Sequence, residues 1–232
     1  ARLHIVIPRP PPPMNTALNT DPGLRCVVHT PSLDWVASPA PGVWRRLLER
    51  DGGEVARATS VVRYEAGARF EAHTHGGGEE ILVLEGVFED EHGRYGPGTY
   101  IHNPAGSTHA PFTREGCTLL VKLRQLDVRD QQRVVVDPRS TPWRQGLVEG
   151  LQVLPLHSFE TQHTALVRWA PQTFFNPHRH WGGEEIFVIE GVFSDEHGDY
   201  PAGSWLRSPH MSQHQPFSRE GCLIFVKTGH LA

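Results

Sequence analysis

The sequence predicts an all-β protein built from two similar units. Short runs rich in β-branched and aromatic residues alternate with turns, and 23 glycines and 20 prolines among 232 residues supply many turn positions. The eight residues from His73 read His-Thr-His-Gly-Gly-Gly-Glu-Glu, and 105 residues later the eight from His178 read His-Arg-His-Trp-Gly-Gly-Glu-Glu. A repeat of this length divides the chain into two units that are each large enough for a hydrophobic core.

The strand candidates are runs of β-branched and aromatic residues bounded by glycine, proline and acidic turns. In the first unit they cover residues 43–48, 56–64, 80–88, 99–102 and 117–123. In the second unit they cover residues 148–154, 164–169, 185–193, 204–207 and 222–227. Between the strands, Asp90 and Gly93 bound a segment that predicts a hairpin turn.

The ends of the units follow from composition. Residues 1–23 are interpreted as a disordered or non-native leader, because the proline run at 10–13 lacks the amide donors of regular structure and Met14 is a natural start. Residues 24–130 then form an N-terminal domain and residues 131–232 a C-terminal domain. The polar, proline-containing stretch that follows the first repeat is the predicted connection.

Each repeat carries a set of histidines and a carboxylate suited to a metal ion. Two histidines separated by one residue point to the same side of a strand, and a glycine-rich bend lets a glutamate return toward them. A further histidine completes each set. The predicted ligands are His73, His75, Glu79 and His109 in the first unit, and His178, His180, Glu184 and His214 in the second. Imidazole with carboxylate favours a divalent transition metal such as iron, zinc, manganese, nickel or copper over calcium, so we expect two such ions per chain.

The spacing of these residues resembles the cupin superfamily, whose motifs have the forms G-x5-H-x-H-x3-E-x6-G and G-x5-P-x-G-x2-H. The first repeat fills every motif position between Gly67 and His109. The second repeat departs at Gln172 and Met211, where the motif has glycine, and keeps all its predicted ligands. The resemblance implies two tandem cupin barrels, each a double-stranded β-helix or jelly roll.

Within the superfamily, two further segments are similar to the ChrR-type cupin, which is named after the sensory domain of an anti-sigma factor. These are Glu-Gly-Val-Phe-Glu-Asp-Glu-His-Gly from Glu85 and Glu-Gly-Val-Phe-Ser-Asp-Glu-His-Gly from Glu190. Both repeats also contain Arg-Glu-Gly-Cys, ending at Cys117 and Cys222. These two cysteines lie in apolar runs and are predicted to be small buried core residues rather than a redox pair.

Other polar residues near the motifs are assigned simpler roles. Glu80 and Glu185 should face the other side of their strands, because each is adjacent to a predicted ligand. His92 and His197 are expected to be solvated turn residues, and His210 a solvent-facing loop residue.

Arg63 and Arg168 occupy equivalent strand positions in the two repeats. A solvent-facing strand surface is the favoured place for them. The alternative is that they hold an anionic substrate by paired hydrogen bonds.

The composition excludes some partners. A net charge of −4 without a lysine- or arginine-rich block gives no footprint for nucleic acid, and no apolar run is long enough for a membrane span. Three cysteines do not indicate a disulfide framework, so we expect a soluble protein of the reducing cytoplasm. A small-molecule ligand or substrate is the expected partner, and a homodimer is left open.

Two functions remain open from the sequence. The first is a non-haem metal-dependent dioxygenase or related oxidoreductase that acts on a small oxygenated molecule, as the family resemblance implies. The second is a zinc-binding sensory or regulatory cupin without catalysis. Ala105 and Gly106 precede the last histidine of the first set, where the second repeat has His210 and Met211. Larger side chains should narrow the second site, so the first is the favoured site of chemistry.

Overall fold

The computed structural model describes residues 16–231, where the regular structure consists of antiparallel strands and one 3-10 turn, Thr30–Ser32. The predicted leader lies outside the described residues as far as residue 15, and its later part contains the first strand. In chain order, the first twelve strands are β1 (Thr16–Leu18), β2 (Cys26–His29), β3 (Val36–Ala37), β4 (Val43–Gly52), β5 (Ala56–Tyr64), β6 (His73–His75), β7 (Glu79–Gly86), β8 (Phe88–Asp90), β9 (Gly93–Tyr95), β10 (Tyr100–Asn103), β11 (Ser107–His109) and β12 (Cys117–Leu123).

The remaining strands repeat much of this layout. They are β13 (Val134–Val136), β14 (Arg144–Gln145), β15 (Leu151–Phe159), β16 (Gln162–Trp169), β17 (Thr173–Phe174), β18 (His178–Arg179), β19 (Glu184–Asp195), β20 (Gly198–Pro201), β21 (Ser204–Ser208), β22 (Gln213–His214), β23 (Phe217–Ser218) and β24 (Cys222–Thr228). The all-β fold class predicted from the sequence is confirmed.

The described residues divide into two compact units. Unit 1 comprises residues 16–18 and Leu33–Arg133, and unit 2 comprises Asn19–Ser32 and residues 134–231. The segment Asn19–Ser32 precedes the first repeat in sequence but belongs to the second unit. There, β2 pairs with β21 and supplies an additional edge to its sheet.

Unit 1 is a jelly roll of antiparallel strands around one apolar core. Its larger sheet runs in the order β1-β4-β5-β12-β7-β10, and a smaller sheet pairs β6 with β11. The predicted hairpin is present, since Asp90 on β8 pairs with Gly93 on β9. The core forms where alternate residues of the central strands face inward, as Cys117, Leu119 and Val121 do on β12.

Unit 2 has the same plan, with a sheet in the order β14-β15-β16-β24-β19-β21-β2 and a smaller pair of β18 with β22. Its core includes Trp169, Phe193 and Ile224. Cys222 belongs to this core as Cys117 belongs to that of unit 1, so the structure confirms that both cysteines are buried core residues.

The two repeats differ in the hairpin that opens each unit. Val43 pairs with Tyr64 in unit 1, and Leu151 pairs with Trp169 in unit 2. These pairs are 21 and 18 residues apart, so the hairpin of unit 1 is three residues longer. The strand predicted to start at 148 starts at Leu151, because Gly150, with φ 86°, lies in the turn before it.

Candidate metal centres

The first histidine cluster is assembled by the pairing of β6 with β11. His73 lies opposite His109 across this pair, and His75 is on the same side of β6 as His73, as alternation requires. The Nε2 atoms of His75 and His109 are 2.9 Å apart. Glu79, which begins β7 and is 6% exposed, places Oε2 3.3 Å from each of these two nitrogens. The three histidines therefore form one group, and Glu79 contacts two of its members.

The second cluster has the same construction in unit 2. His178 on β18 lies opposite His214 on β22, and the Nε2 atoms of His180 and His214 are 3.0 Å apart. Oε2 of Glu184 lies 3.5 Å from the Nε2 atom of His180 and 3.6 Å from that of His214. The structure thus brings all eight sequence-predicted residues together, four in each unit.

The glycine-rich bend allows the glutamate to reach the histidines. Gly78 has φ 73°, and its N–H donates to the carbonyl oxygen of His75 at 3.1 Å. A Cβ atom at Gly78 would lie 2.5 Å from Cδ1 of Leu126, so any side chain there would require Leu126 to move. Gly183 makes the equivalent turn in unit 2, with φ 71°. In both units the bend requires the left-handed conformation that glycine adopts readily.

Hydrogen bonds fix the orientation of the outer histidine in each cluster. Nδ1 of His73 is 2.8 Å from the carbonyl oxygen of Glu71, and Nδ1 of His178 is 2.9 Å from that of Asn176. A carbonyl oxygen only accepts, so each Nδ1 carries a proton, and Nε2 is the ring nitrogen left to bind a metal ion. The ring of His73 contacts that of His75, and the ring of His178 contacts that of His180, so these Nε2 atoms lie beside the other imidazoles of their clusters.

Burial keeps several of these imidazoles neutral. It lowers the pKa of His75, and together with the neighbouring His214 and His178 it lowers the pKa of His180 to about 3. Burial also raises the pKa of Glu184 to about 7, against the opposing effect of His214. The neutral form of imidazole is the one that binds a metal ion. An ionised carboxylate buried without a nearby cation destabilises the folded state.

The donor arrangement fits a metal ion. Atoms that bind one ion at roughly 2.0–2.2 Å are separated from their neighbours by about 2.8–3.6 Å in octahedral or tetrahedral coordination. The separations of Glu79 or Glu184 from the two nearest imidazoles, and those between His75 and His109 and between His180 and His214, run from 2.9 to 3.6 Å. In each unit, one ring nitrogen from each of the three histidines also lies within 4.8 Å of the other two. Both clusters could hold a metal ion.

A carboxylate lies behind the last histidine of the first cluster. Oδ2 of Asp90 is 3.5 Å from Nδ1 of His109, and Oδ1 of Asp90 accepts a hydrogen bond from the hydroxyl of Tyr95 at 2.9 Å. Arg133 donates to the same hydroxyl at 3.1 Å. Burial acts to lower the pKa of His109, but Asp90 and Glu79 outweigh it and the pKa is raised.

Unit 2 repeats this chain of contacts. Oδ2 of Asp195 is 3.6 Å from Nδ1 of His214, the hydroxyl of Tyr200 donates to Oδ1 of Asp195 at 2.8 Å, and Arg25 donates to Tyr200 at 2.5 Å. Burial opposes ionisation of Asp195, yet its contacts with His214 and Tyr200 lower its pKa to about 2.

Sequence reasoning missed these residues. Asp90 was assigned only to a predicted hairpin turn and Asp195 to no role, although Asp90 and Tyr95 recur 105 residues later as Asp195 and Tyr200. That recurrence is the signal that could have found them.

The cavities beside the two clusters lie on different sides of the histidines. A cavity of about 390 Å³ adjoins the first cluster, and its apolar wall includes Val62, Tyr64 and Phe70. A smaller cavity of about 160 Å³ lies behind the second cluster, on the Asp195 side of His214, and is lined by polar residues such as Arg25 and Ser212. An apolar cavity with a few convergent polar groups is typical of a small-molecule site.

The remaining polar residues lie outside the clusters. Glu80 accepts a hydrogen bond from the hydroxyl of Tyr100 at 2.7 Å, and Glu185 accepts one from Nε1 of Trp205 at 2.7 Å. Both glutamates therefore point away from the histidines of the two clusters, as predicted. His92, His197 and His210 are exposed, and the ring of His210 packs against Trp181.

The alternative role for the paired strand arginines is not supported. The guanidinium of Arg63 lies 4.4 Å from the ring centre of Trp35, and that of Arg168 lies 4.3 Å from the ring centre of Trp143. Neither arginine lines the cavity in front of a cluster. Both stack on tryptophan instead, because a planar guanidinium interacts favourably with an aromatic face.

Two jelly-roll units with paired histidine clusters define a two-domain cupin protein. The model of the ChrR cupin-like domain family matches the chain twice, over residues 24–127 and 131–232. The chain therefore belongs to the ChrR cupin-like family. No curated protein matches it significantly.

Solved structures share the fold at low sequence identity. A putative dioxygenase from Nostoc punctiforme has a TM-score of 0.74 and 16% identity, with 89% of this chain and 83% of that chain covered. Oxalate decarboxylase from Lactobacillus farciminis has a TM-score of 0.61 and 14% identity, with 89% and 86% covered. Salicylate 1,2-dioxygenase from Pseudaminobacter salicylatoxidans has a TM-score of 0.62 and 11% identity, with 94% and 86% covered. Within residues 16–231, no helix has the length and apolar character needed to cross a bilayer.

Proposed function

We propose that the chain binds two divalent transition-metal ions and that the first centre is an oxidoreductase of the dioxygenase type, acting on a small oxygenated molecule. The ligands are His73, His75, Glu79 and His109 in unit 1, and His178, His180, Glu184 and His214 in unit 2. The observation that carries the proposal is the 390 Å³ cavity, which is walled by apolar side chains and ends at the first cluster. Dioxygenases among the solved structures of the same fold support the reaction class.

The residues of unit 1 have separate tasks in this proposal. A bound transition metal supplies Lewis-acid and one-electron redox chemistry. Asp90 holds the ring of His109 in position through Nδ1, and the carbonyl oxygen of Glu71 does the same for His73. The apolar wall excludes water and selects a compact substrate, whose oxygen atoms face the buried cluster.

The second centre is proposed to stabilise unit 2 or to regulate the protein. Its ligands have nearly the same separations as those of the first, but the cavity of about 160 Å³ beside it lies behind His214 and is lined by polar residues. Trp169 occupies the core position that Tyr64 occupies in unit 1, because both pair with the first residue of the opening strand. Met211 and His210 also replace the smaller residues of the first repeat.

The test combines metal analysis with an oxygen-consumption screen. Protein purified without added metal is assayed for iron, zinc, manganese, nickel and copper, and oxygen uptake is followed with small diketones, hydroxyketones and 2-oxocarboxylates. His75→Ala should abolish turnover and remove one of two ions. His180→Ala is the matched variant and should remove the other ion while retaining turnover. Turnover that survives in His75→Ala and disappears in His180→Ala would reverse the assignment of the centres.

The second candidate is a zinc-bound sensory or regulatory cupin without catalysis. The observation that favours it is the family match, since the ChrR cupin-like model covers both halves of the chain. In that case the purified protein holds zinc at both centres. Replacement of zinc by iron would then give no oxygen uptake with any member of the screen.

A further inference from the structure

An arginine stands on the interior wall of the first cavity. Arg45 follows Val43 by two residues on β4, and the two residues pair with Val62 and Tyr64 of β5. All four line the cavity, so Arg45 faces the same interior side as the core residue Val43. Its side chain is 14% exposed, and its Nε atom is buried without a hydrogen-bond partner.

Arg45 forms a long ion pair with one carboxylate, that of Glu54. Glu54 in the β4–β5 hairpin accepts from both terminal nitrogens of Arg45, each at 3.3 Å. Distances of 3.3 Å are long for a charge-assisted pair, which usually closes to about 2.7–2.9 Å. Glu54 is itself 46% exposed, so water competes for it. A second carboxylate entering the cavity could therefore displace Glu54 at low cost.

A second arginine lines the same cavity from a conformation that favours glycine. Arg124 has φ 58° and directly follows β12. A Cβ atom on Gly77 would lie 2.8 Å from the Cα atom of Arg124, and one on Gly76 would lie 3.3 Å from its Nη1 atom. The missing side chains of the glycine-rich bend thus leave room for Arg124 beside the first cluster.

Unit 2 has neither arginine. Val153 pairs with Val167 as Arg45 pairs with Val62, so a valine occupies the place of Arg45. Gly229 donates to Gly183 as Arg124 donates to Gly78, so a glycine occupies the place of Arg124.

The surroundings of both positions differ in the same sense. The hairpin of unit 1 that carries Glu54 is three residues longer than the corresponding hairpin of unit 2. Trp181 stands where unit 1 has Gly76. The two cations and their surroundings are therefore specific to the cavity of unit 1.

We propose that the ligand of the first cavity is a small carboxylate with an apolar body, bound through Arg45 and Arg124. This inference names the substrate class of the proposed catalytic centre and rests on that function. The carboxylate takes the place of Glu54 on Arg45 and forms paired hydrogen bonds that neutral ligands cannot form. The apolar body lies against Val62 and Tyr64, which line the same cavity.

The test measures binding by calorimetry with two carboxylates, benzoate and 4-methyl-2-oxopentanoate, and with their neutral amides. Arg45→Val and Arg124→Gly are the informative variants, because each introduces the residue that unit 2 already has. Arg69→Val is the control, since Arg69 is an exposed arginine of unit 1 outside the cavity lining. Metal content is measured on every preparation, and circular dichroism checks that each variant is folded.

We expect the wild-type protein to bind at least one carboxylate about tenfold more tightly than its amide, with the preference lost in both informative variants and kept in the control. Glu54→Gln, on the exposed hairpin, should strengthen carboxylate binding because a neutral amide competes less for Arg45. Equal affinity for acids and amides, no binding of either acid, or a preference unchanged by all three cavity substitutions would overturn the inference. The preference for carboxylates is also measured on chelator-treated protein, and metal content is known for every preparation. A preference that persists without metal distinguishes failure of the metal centre from failure of the carboxylate site.

Discussion

Replacing Asp90 by asparagine should weaken metal binding at the first centre without disturbing the fold. Oδ1 of Asp90 accepts hydrogen bonds from the hydroxyl of Tyr95 and from the backbone N–H groups of His92 and Gly93. An asparagine oxygen can accept the same three bonds, so the hairpin is retained. What Asp90→Asn removes is the negative charge 3.5 Å from Nδ1 of His109.

The size of the effect follows from the role of that charge. A carboxylate beside the outer nitrogen of a ligating imidazole fixes its orientation and makes it more basic. Loss of such a partner typically lowers metal affinity by about 10–100-fold, which corresponds to roughly 1.4–2.7 kcal/mol. The long 3.5 Å contact places Asp90→Asn in the lower part of this range.

The assay is a competition titration of metal-free protein with zinc and a chromophoric chelator. Asp90→Asn should weaken one of two sites, and Asp195→Asn, the matched variant of unit 2, should weaken the other. Asp127→Asn, at a partly exposed carboxylate that accepts hydrogen bonds from Arg129, is the control and should leave both sites unchanged. Two sites of wild-type affinity in Asp90→Asn protein would refute the assigned role of this aspartate.

Two further predictions concern the bend and the thiols. Gly78→Ala should destabilise the protein more than Gly106→Ala in urea unfolding. Both residues have positive φ, costing about 1–2 kcal/mol for alanine, but only at Gly78 would the new methyl meet a leucine carbon, at 2.5 Å; equal losses would contradict this. Cys117 and Cys222 should resist a thiol reagent at pH 8 until unfolding, because burial raises their pKa values to about 12 and about 11, whereas the partly exposed Cys26 should react first. Rapid labelling of all three native thiols would contradict the buried positions.

The cluster residues could be predicted because the information is local. A spacing of one residue places His73 and His75 on one side of any strand, whatever the rest of the fold. The glycine bend then limits where Glu79 can lie. Only His109 required a distant contact, and there the recurrence of the whole motif in the second half of the chain replaced structural information.

Residues that depend on strand register were beyond the sequence pattern. Arg133 and Arg25 reach Tyr95 and Tyr200 from segments that stand before a repeat in sequence, and Arg25 belongs to a stretch that the fold assigns to the second unit. A motif search does not show which unit such a stretch joins, because backbone pairing with β21 decides it.

The positions of Arg45 and Arg124 beside the cavity could not be predicted from the sequence, for a related reason. The uniform spacing of 105 residues places Gly150 at the position of Arg45, whereas the strand register places Val153 there. The longer hairpin of unit 1 shifts the alignment by three residues before the motif begins. Arg45 therefore appears unremarkable in sequence, and its role follows only once the strands are paired.

The two units together separate metal binding from ligand choice. Their clusters agree closely, with imidazole nitrogens 2.9 and 3.0 Å apart, although an apolar cavity of about 390 Å³ adjoins the first cluster and the cavity of about 160 Å³ beside the second lies behind His214. Burying several imidazole nitrogens and a carboxylate together destabilises the folded state unless a metal ion binds them. A cluster that bound no metal would be more stable if apolar residues replaced it. Both clusters remain intact in a single chain, which argues that both bind metal. In the proposed function, Arg45 and Arg124 beside the cavity of unit 1 equip that centre to select a substrate.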